Sequence, residues 1–159
     1  MGDGVDDKVR DSDLEGRNAE GHSSPPPLGA APVRELAEFR YVLRRFLHFS
    51  EEAAARVGLP AQQHQLLLQV AGAPKGAQPT IAFLAERLVL RHHSVVELSL
   101  RCEAAGWVVR RTGALDRRLV VLELTAAGHR LLKSLSQDHA RELNELAPKL
   151  IEALQAFAA

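Results

Sequence analysis

Three groups of side chains in this 159-residue chain have the types and spacing to do chemistry. The first is Arg91, His92, His93 and Ser94, a run combining a permanent cation, two imidazoles and a hydroxyl. Such a run can hydrogen-bond to phosphates or base edges, or it can cap a helix and face solvent. The second is Asp116, Arg117 and Arg118, with Arg110 and Arg111 just upstream. Guanidinium groups suit phosphates and the negative potential of a narrow groove, and an adjacent carboxylate can orient one of them through a charge-assisted pair. Solvation of an exposed turn is the plain alternative. Alternation along a strand sends Arg110 and Arg111 to opposite faces, so at most one, taken as Arg111, joins that set. The third group is Tyr41, Arg45, His48 and Glu52, at helical spacing on one polar stripe, with His64 further along. Arg45 can pair with a ligand carboxylate while His48 or His64 donates to it; a solvated face plus one core histidine is the alternative.

Other chemistries find little support. Adjacent His92 and His93 on a helix point about 100° apart with no third ligand close by, so no metal site is expected. Cys102 is the only cysteine. It falls at a core-facing position, where burial makes a thiol inert; a thiol-based redox sensor is the competing reading. No Gly-rich phosphate loop, nucleophile elbow or His-Glu metal pattern occurs, so neither an enzyme nor a cofactor is expected. No apolar run nears the length of a membrane span, and the start is acidic and Pro-rich rather than basic and apolar. The expectation is a cytoplasmic protein without a membrane partner.

These groups must be positioned by particular elements. Residues 1–32 are rich in Asp, Gly, Ser and Pro and read as a tail too polar to fold. From Val33, Leu36, Phe39, Leu43, Phe46 and Ser50 recur at spacings of three and four, with Val42, Leu47 and Phe49 widening the stripe toward a partner surface. Gly58 stops this helix, and Pro60 opens a second to about Gly72. A Pro/Gly loop precedes a short helix, Thr80 to Leu88, and another follows from about His92 to Ala105, closed by Gly106. Two apolar runs around a Gly- and Arg-rich tip read as a β-hairpin. Thr125 caps a long helix to about Asn144, and Pro148 starts a last one ending near Phe157. A helix–turn–helix followed by a two-stranded hairpin is a winged helix-turn-helix, within a mainly α chain of about six helices.

Charge needs to be read by segment. Twenty basic and twenty acidic residues cancel, which by itself argues against a nucleic-acid partner. Residues 1–24, however, carry −4 and residues 25–159 carry +4. The basic excess lies with the helix–turn–helix and hairpin.

In this order, the chain resembles the MarR family of bacterial transcriptional regulators from about Arg34 to Phe157. The resemblance rests on Ile81 to Leu88, then Val95, Leu98, Glu103, Ala105 and Gly106, then Asp116-Arg117-Arg118, then Leu124-Thr125 and Gly128. It implies one domain over 33–159, with 60–124 as the winged helix-turn-helix and 33–58 and 125–159 as dimerisation helices. It further implies a homodimer that binds double-stranded DNA at a pseudo-palindromic operator, more often as a repressor. In that picture Arg91, His92, His93 and Ser94 enter the major groove, while Arg117 and Arg118, supported by Asp116, reach an adjacent minor groove. A small aromatic or phenolic effector would bind near Tyr41, Arg45, His48 and His64. Three positions depart from the family pattern. Val89 stands where Gly is common between Leu88 and Leu90, and a positive φ there would cost about 1–2 kcal/mol, so a different turn geometry is expected. Arg91 replaces a Ser or Thr cap. Glu97 stands where basic or small residues are frequent, which fits a winged helix used as a protein-interaction module as an alternative.

Overall fold

The computed structural model describes residues 30–113, 116–155 and 157. The expected acidic tail therefore lies outside the described residues up to position 29, and 30–32 belong to the first helix instead. The elements run α1 (Ala30–Arg56), α2 (Ala61–Ala71), α3 (Ile81–Leu88), α4 (His92–Ala104), β1 (Val108–Thr112), β2 (Val120–Leu124) and α5 (Ala126–Gln155). Pro32 is tolerated in the first turn of α1 because the N–H it lacks would have no intrahelical acceptor there.

The short helices and the hairpin close around one apolar core. Leu66, Leu67, Leu84, Val95, Leu98, Cys102, Val108 and Leu122 all lie at 2% exposure or less. Each large side chain so buried contributes about 1.5–3 kcal/mol. Strands β1 and β2 pair antiparallel, with Val108 opposite Leu124 and Thr112 opposite Val120. A bridge between Thr80 and Val121, and a hydrogen bond from Leu122 N to Pro79 O at 3.0 Å, tie the hairpin to the start of α3. The wing is thus anchored to the helix–turn–helix, not merely appended to it.

Helix α5 departs from the sequence expectation. One helix runs from Ala126 to Gln155 with Pro148 inside it, where two were expected, so the chain has five helices among its described residues. An internal proline deprives the carbonyl four residues back of its partner and costs about 3 kcal/mol. The helix continues because its buried stripe does: Leu132, Leu135, His139, Leu146 and Ala153 follow a seven-residue rhythm on both sides of Pro148. Helix α1 packs against α5 along much of its length, and breaking α5 would uncover the distal part of that seam.

Gly128 joins the two parts of the molecule. A Cβ there would lie 2.2 Å from the Trp107 carbonyl oxygen, so only glycine lets α5 leave directly beside β1. Thr125 caps α5, accepting from Gly128 N at 3.0 Å and donating to Gly106 O at 2.7 Å.

Candidate nucleic-acid interface

Helix α4 is rotationally fixed by Val95, Leu98, Ser99 and Cys102, which are buried. Its opposite face, and its N-terminus, are therefore presented outward. Arg91, His92 and His93 are exposed and Ser94 is half-buried. Arg91 occupies the N-cap with extended backbone and makes no side-chain capping bond. A guanidinium cannot accept from backbone N–H groups, so the first amides of α4 lack the capping oxygen that a Ser or Thr would supply. That leaves donors and a positive dipole end available to an anion.

The turn before α4 corrects the sequence reading. Val89 does adopt left-handed backbone, at φ 53° and ψ 43°. Two hydrogen bonds explain it: Val89 N donates to Glu86 O at 3.2 Å and Leu90 N donates to Ala85 O at 3.0 Å. This is a Schellman closure, which satisfies the last carbonyls of α3 and turns Leu90 onto the core. Those gains outweigh the strain of about 1–2 kcal/mol, and the Val89 side chain itself is 90% exposed. At the other end of α3, Thr80 accepts from Phe83 N at 3.1 Å; in its last turn, Arg87 Nε donates to Gln69 Oε1 at 2.8 Å, holding α3 to α2.

At the wing tip, Asp116 pairs with one of its neighbouring arginines, and the structure makes it Arg118. Arg118 donates from Nε to Asp116 Oδ1 at 3.1 Å, from Nη2 to Oδ2 at 3.0 Å and from its backbone N to Oδ1 at 2.9 Å. These bonds hold the Asp116 carboxyl below its usual range. The guanidinium stays 90% exposed, so its free edge points to solvent in a set direction. Arg117 is exposed and has no ion partner among the described residues. Arg111 differs: its Nε donates to Glu123 across the hairpin at 2.6 Å, which neutralises part of its charge. Arg110 turns inward and its backbone N donates to Glu103 Oε1 at 2.9 Å. Gly113 closes the tip, since a Cβ there would lie 2.7 Å from Asp116 O.

The other sequence candidates separate in space. Tyr41, Arg45, His48 and Glu52 face outward on α1, where His48 lies 3.4 Å from Glu52. Tyr41, Arg45 and His48 line an open groove formed by α1 alone. His64 does not share it. It is buried at 1% exposure where α2 meets α1 and α5, with its ring centroid 4.9 Å from that of His139. His139 donates from Nδ1 to Leu135 O, and Ser50 donates to its Nε2 at 2.7 Å, while Phe46 and Phe49 meet its ring edge-on. His64 Nε2 has no hydrogen-bond partner among the described residues. Burial, aided by the neighbouring His139, lowers the His64 pKa to about 4, so it is neutral at pH 7. Sequence reasoning did not single out His139; its place in the buried rhythm of α5 was the available signal. Cys102 is fully buried and burial pushes its thiol up to about 11, which leaves little of the thiolate that oxidants attack.

An outward helix N-terminus beside an arginine-tipped hairpin is the arrangement against which known proteins can be compared. Residues 57–119 match the model of a family described as the MarR family. That match covers the helix–turn–helix and most of the hairpin, the part of the chain that is similar to the family. Solved structures extend the likeness of fold to α1 and α5. AbsC, a MarR family transcriptional regulator from Streptomyces coelicolor, superposes with a TM-score of 0.66 at 19% identity, over 82% of this chain and 94% of that one. A mutant of E. coli MarR complexed with operator DNA gives 0.60 at 21% identity, over 80% and 91%. A mutant of S. aureus MepR bound to an oligodeoxyribonucleotide gives 0.57 at 20% identity, over 76% and 88%. No curated protein sequence matches the chain. No described helix is long and apolar enough to cross a membrane.

Proposed function

We propose that this chain is a homodimeric transcriptional regulator of the MarR family, acting as a repressor, that binds a pseudo-palindromic operator in double-stranded DNA. The observation that carries this reading is the pairing of two exposed cationic ends on one anchored unit: the uncapped start of α4 with Arg91, and the wing tip with Arg117 and the oriented Arg118. Helix α4 reads the major groove, with Arg91, His92, His93 and Ser94 toward base edges and phosphates. Arg117 and Arg118 enter the flanking minor groove, while Arg111, held by Glu123, contributes less. Support for the dimer comes from α1 and α5, which leave Val33, Leu36, Leu47, Ile151 and Leu154 at 45–55% exposure on their outer sides. An apolar surface of this extent is what a partner copy covers. Two-fold symmetry then sets half-sites about 10 bp apart.

The groove with Tyr41, Arg45 and His48 lies on the helix proposed to dimerise. We place a small aromatic acid or phenol there, its anionic oxygen on Arg45. Such a ligand releases DNA only by binding one spacing of the recognition helices better than another. His64, buried against His139, is a structural residue at the joint rather than a ligand contact in this reading.

Measuring duplex DNA binding across salt concentrations tests the central claim. A steep fall of affinity with salt is expected, and Arg117→Ala should reduce the log–log slope by about 1. An affinity indifferent to salt would leave the winged helix as a protein-binding module instead.

A further inference from the structure

One of the residues pointing away from the core of α4, Glu97, is neither basic nor small. Val95, Leu98, Ser99 and Cys102 define the inner side of the helix. Stepping 100° per residue, His93 and Glu97 fall opposite them, with Leu100 close by, and all three are exposed. Arg101 lies to one flank. Glu97 sits one turn from both His93 and Arg101 and forms an ion pair with neither, although a Glu followed by Arg four residues on is a favourable helical arrangement. Its carboxylate has no hydrogen-bond or ion-pair partner among the described residues.

When a helix lies in the major groove, side chains on its flanks meet the phosphate walls and those opposite its core meet the floor of base edges. A bare carboxylate is repelled by the walls. On the floor it is stabilised only where a base offers a donor, and only cytosine N4 and adenine N6 do so. Adenine places its N7 acceptor beside that donor, an edge that suits an amide and repels a second carboxylate oxygen. Cytosine carries only C–H beside N4. We infer that Glu97 is a specificity-determining residue that accepts from cytosine N4, so that each half-site carries an obligatory C·G pair under the sixth residue of α4. This rests on the proposed DNA-binding reading and adds the base that the helix selects.

Selection of bound sites from random duplex DNA, run on the full chain and on Glu97→Gln and Glu97→Ala, tests it. The wild type should enrich a palindrome with one C·G pair at a symmetric position in each half-site. Replacing that pair should weaken wild-type binding at least about fivefold. Both variants should still enrich the rest of the palindrome, with discrimination at that position falling below about twofold. Identical base preferences in wild type and variants would overturn the inference while leaving DNA binding intact. Loss of all DNA binding by the near-isosteric Glu97→Gln would also overturn it, because uniform loss marks a role in the fold and not in base choice. Failure of the wild type to enrich any sequence would instead remove the DNA-binding reading, and this inference with it.

Discussion

The winged helix and the α1–α5 arm solve the problem of apolar surface differently. Among the described residues of 61–124 the large apolar side chains are largely internal; the exposed ones are Val89, Leu100 and Leu119, in the turn, on the outer face of α4 and at the wing. Those three lie on the elements proposed to meet DNA. The arm buries one seam, with Val42, Ala53, Leu135, Leu146 and Ala153 inside, and leaves Leu36, Leu47, Ile151 and Leu154 outside. The winged helix thus encloses most of its apolar surface within one chain, whereas the arm leaves an apolar stripe exposed. A short-helix unit closed by a hairpin surrounds its core on several sides, whereas two long helices can cover only one stripe each.

Mutations can break this contrast. Leu84→Ala, at a fully buried site of α3, is expected to cost about 2–5 kcal/mol in chemical denaturation, independently of protein concentration. A concentration-dependent cost would mean that the winged helix also relies on a partner. Acidification probes the joint between the two regions. His64 holds a pKa of about 4 against 6.5 when unfolded, so the unfolded chain takes up the proton first as pH falls. Stability from this group is complete above pH 6.5 and is lost between about pH 6.5 and 4, by about 3 kcal/mol. His64→Phe should flatten that part of the stability–pH curve; an unchanged curve would assign the loss to other groups. Gly128→Ala places a methyl against the Trp107 carbonyl and should cost about 1–3 kcal/mol in melting experiments, loosening the arm from the hairpin.

Two further substitutions should have smaller effects on a single chain. Val89→Gly removes about 1–2 kcal/mol of left-handed strain and returns about 0.5–1 kcal/mol as unfolded-state entropy. A net stabilisation of no more than about 1.5 kcal/mol is expected, with denaturation midpoints as the readout. Ile151→Asp, on the exposed side of α5, should change the stability of a single chain by less than about 0.5 kcal/mol. Sedimentation should nevertheless show a shift from dimer to monomer; an unchanged mass would move the dimer interface elsewhere.

Much of the molecule is legible in the chain because its signals act over three or four residues. Thr80 and Thr125 announce the starts of α3 and α5, and Gly106 the end of α4. The alternating residues of 119–124 mark the returning strand. That Asp116 pairs with one of the two arginines beside it could be read from the sequence, since a carboxylate and a guanidinium so close in a turn need no distant support; that the partner is Arg118 could not. Less legible were Val89, Pro148 and the two buried histidines. Propensity alone rejects left-handed valine and proline within a helix. At Val89 the decision lies with the two Schellman bonds and the burial of Leu90; at Pro148 it lies with the seam along α1. His64 looked available to a ligand because its sequence neighbours do not reveal that His139, from a helix far along the chain, lies against it.

The sequence alone therefore sets the element types, the winged-helix order and the basic residues at the start of α4 and at the hairpin tip, because capping, periodicity and turn chemistry are local free energies. Folding decides which cations remain free and which are consumed, leaving Arg117 open, orienting Arg118 and pairing Arg111 with Glu123. It also decides the outward direction of Glu97 and the neutral state of His64. Those outcomes depend on burial and on partners brought from other elements, and both exist only once the chain has packed.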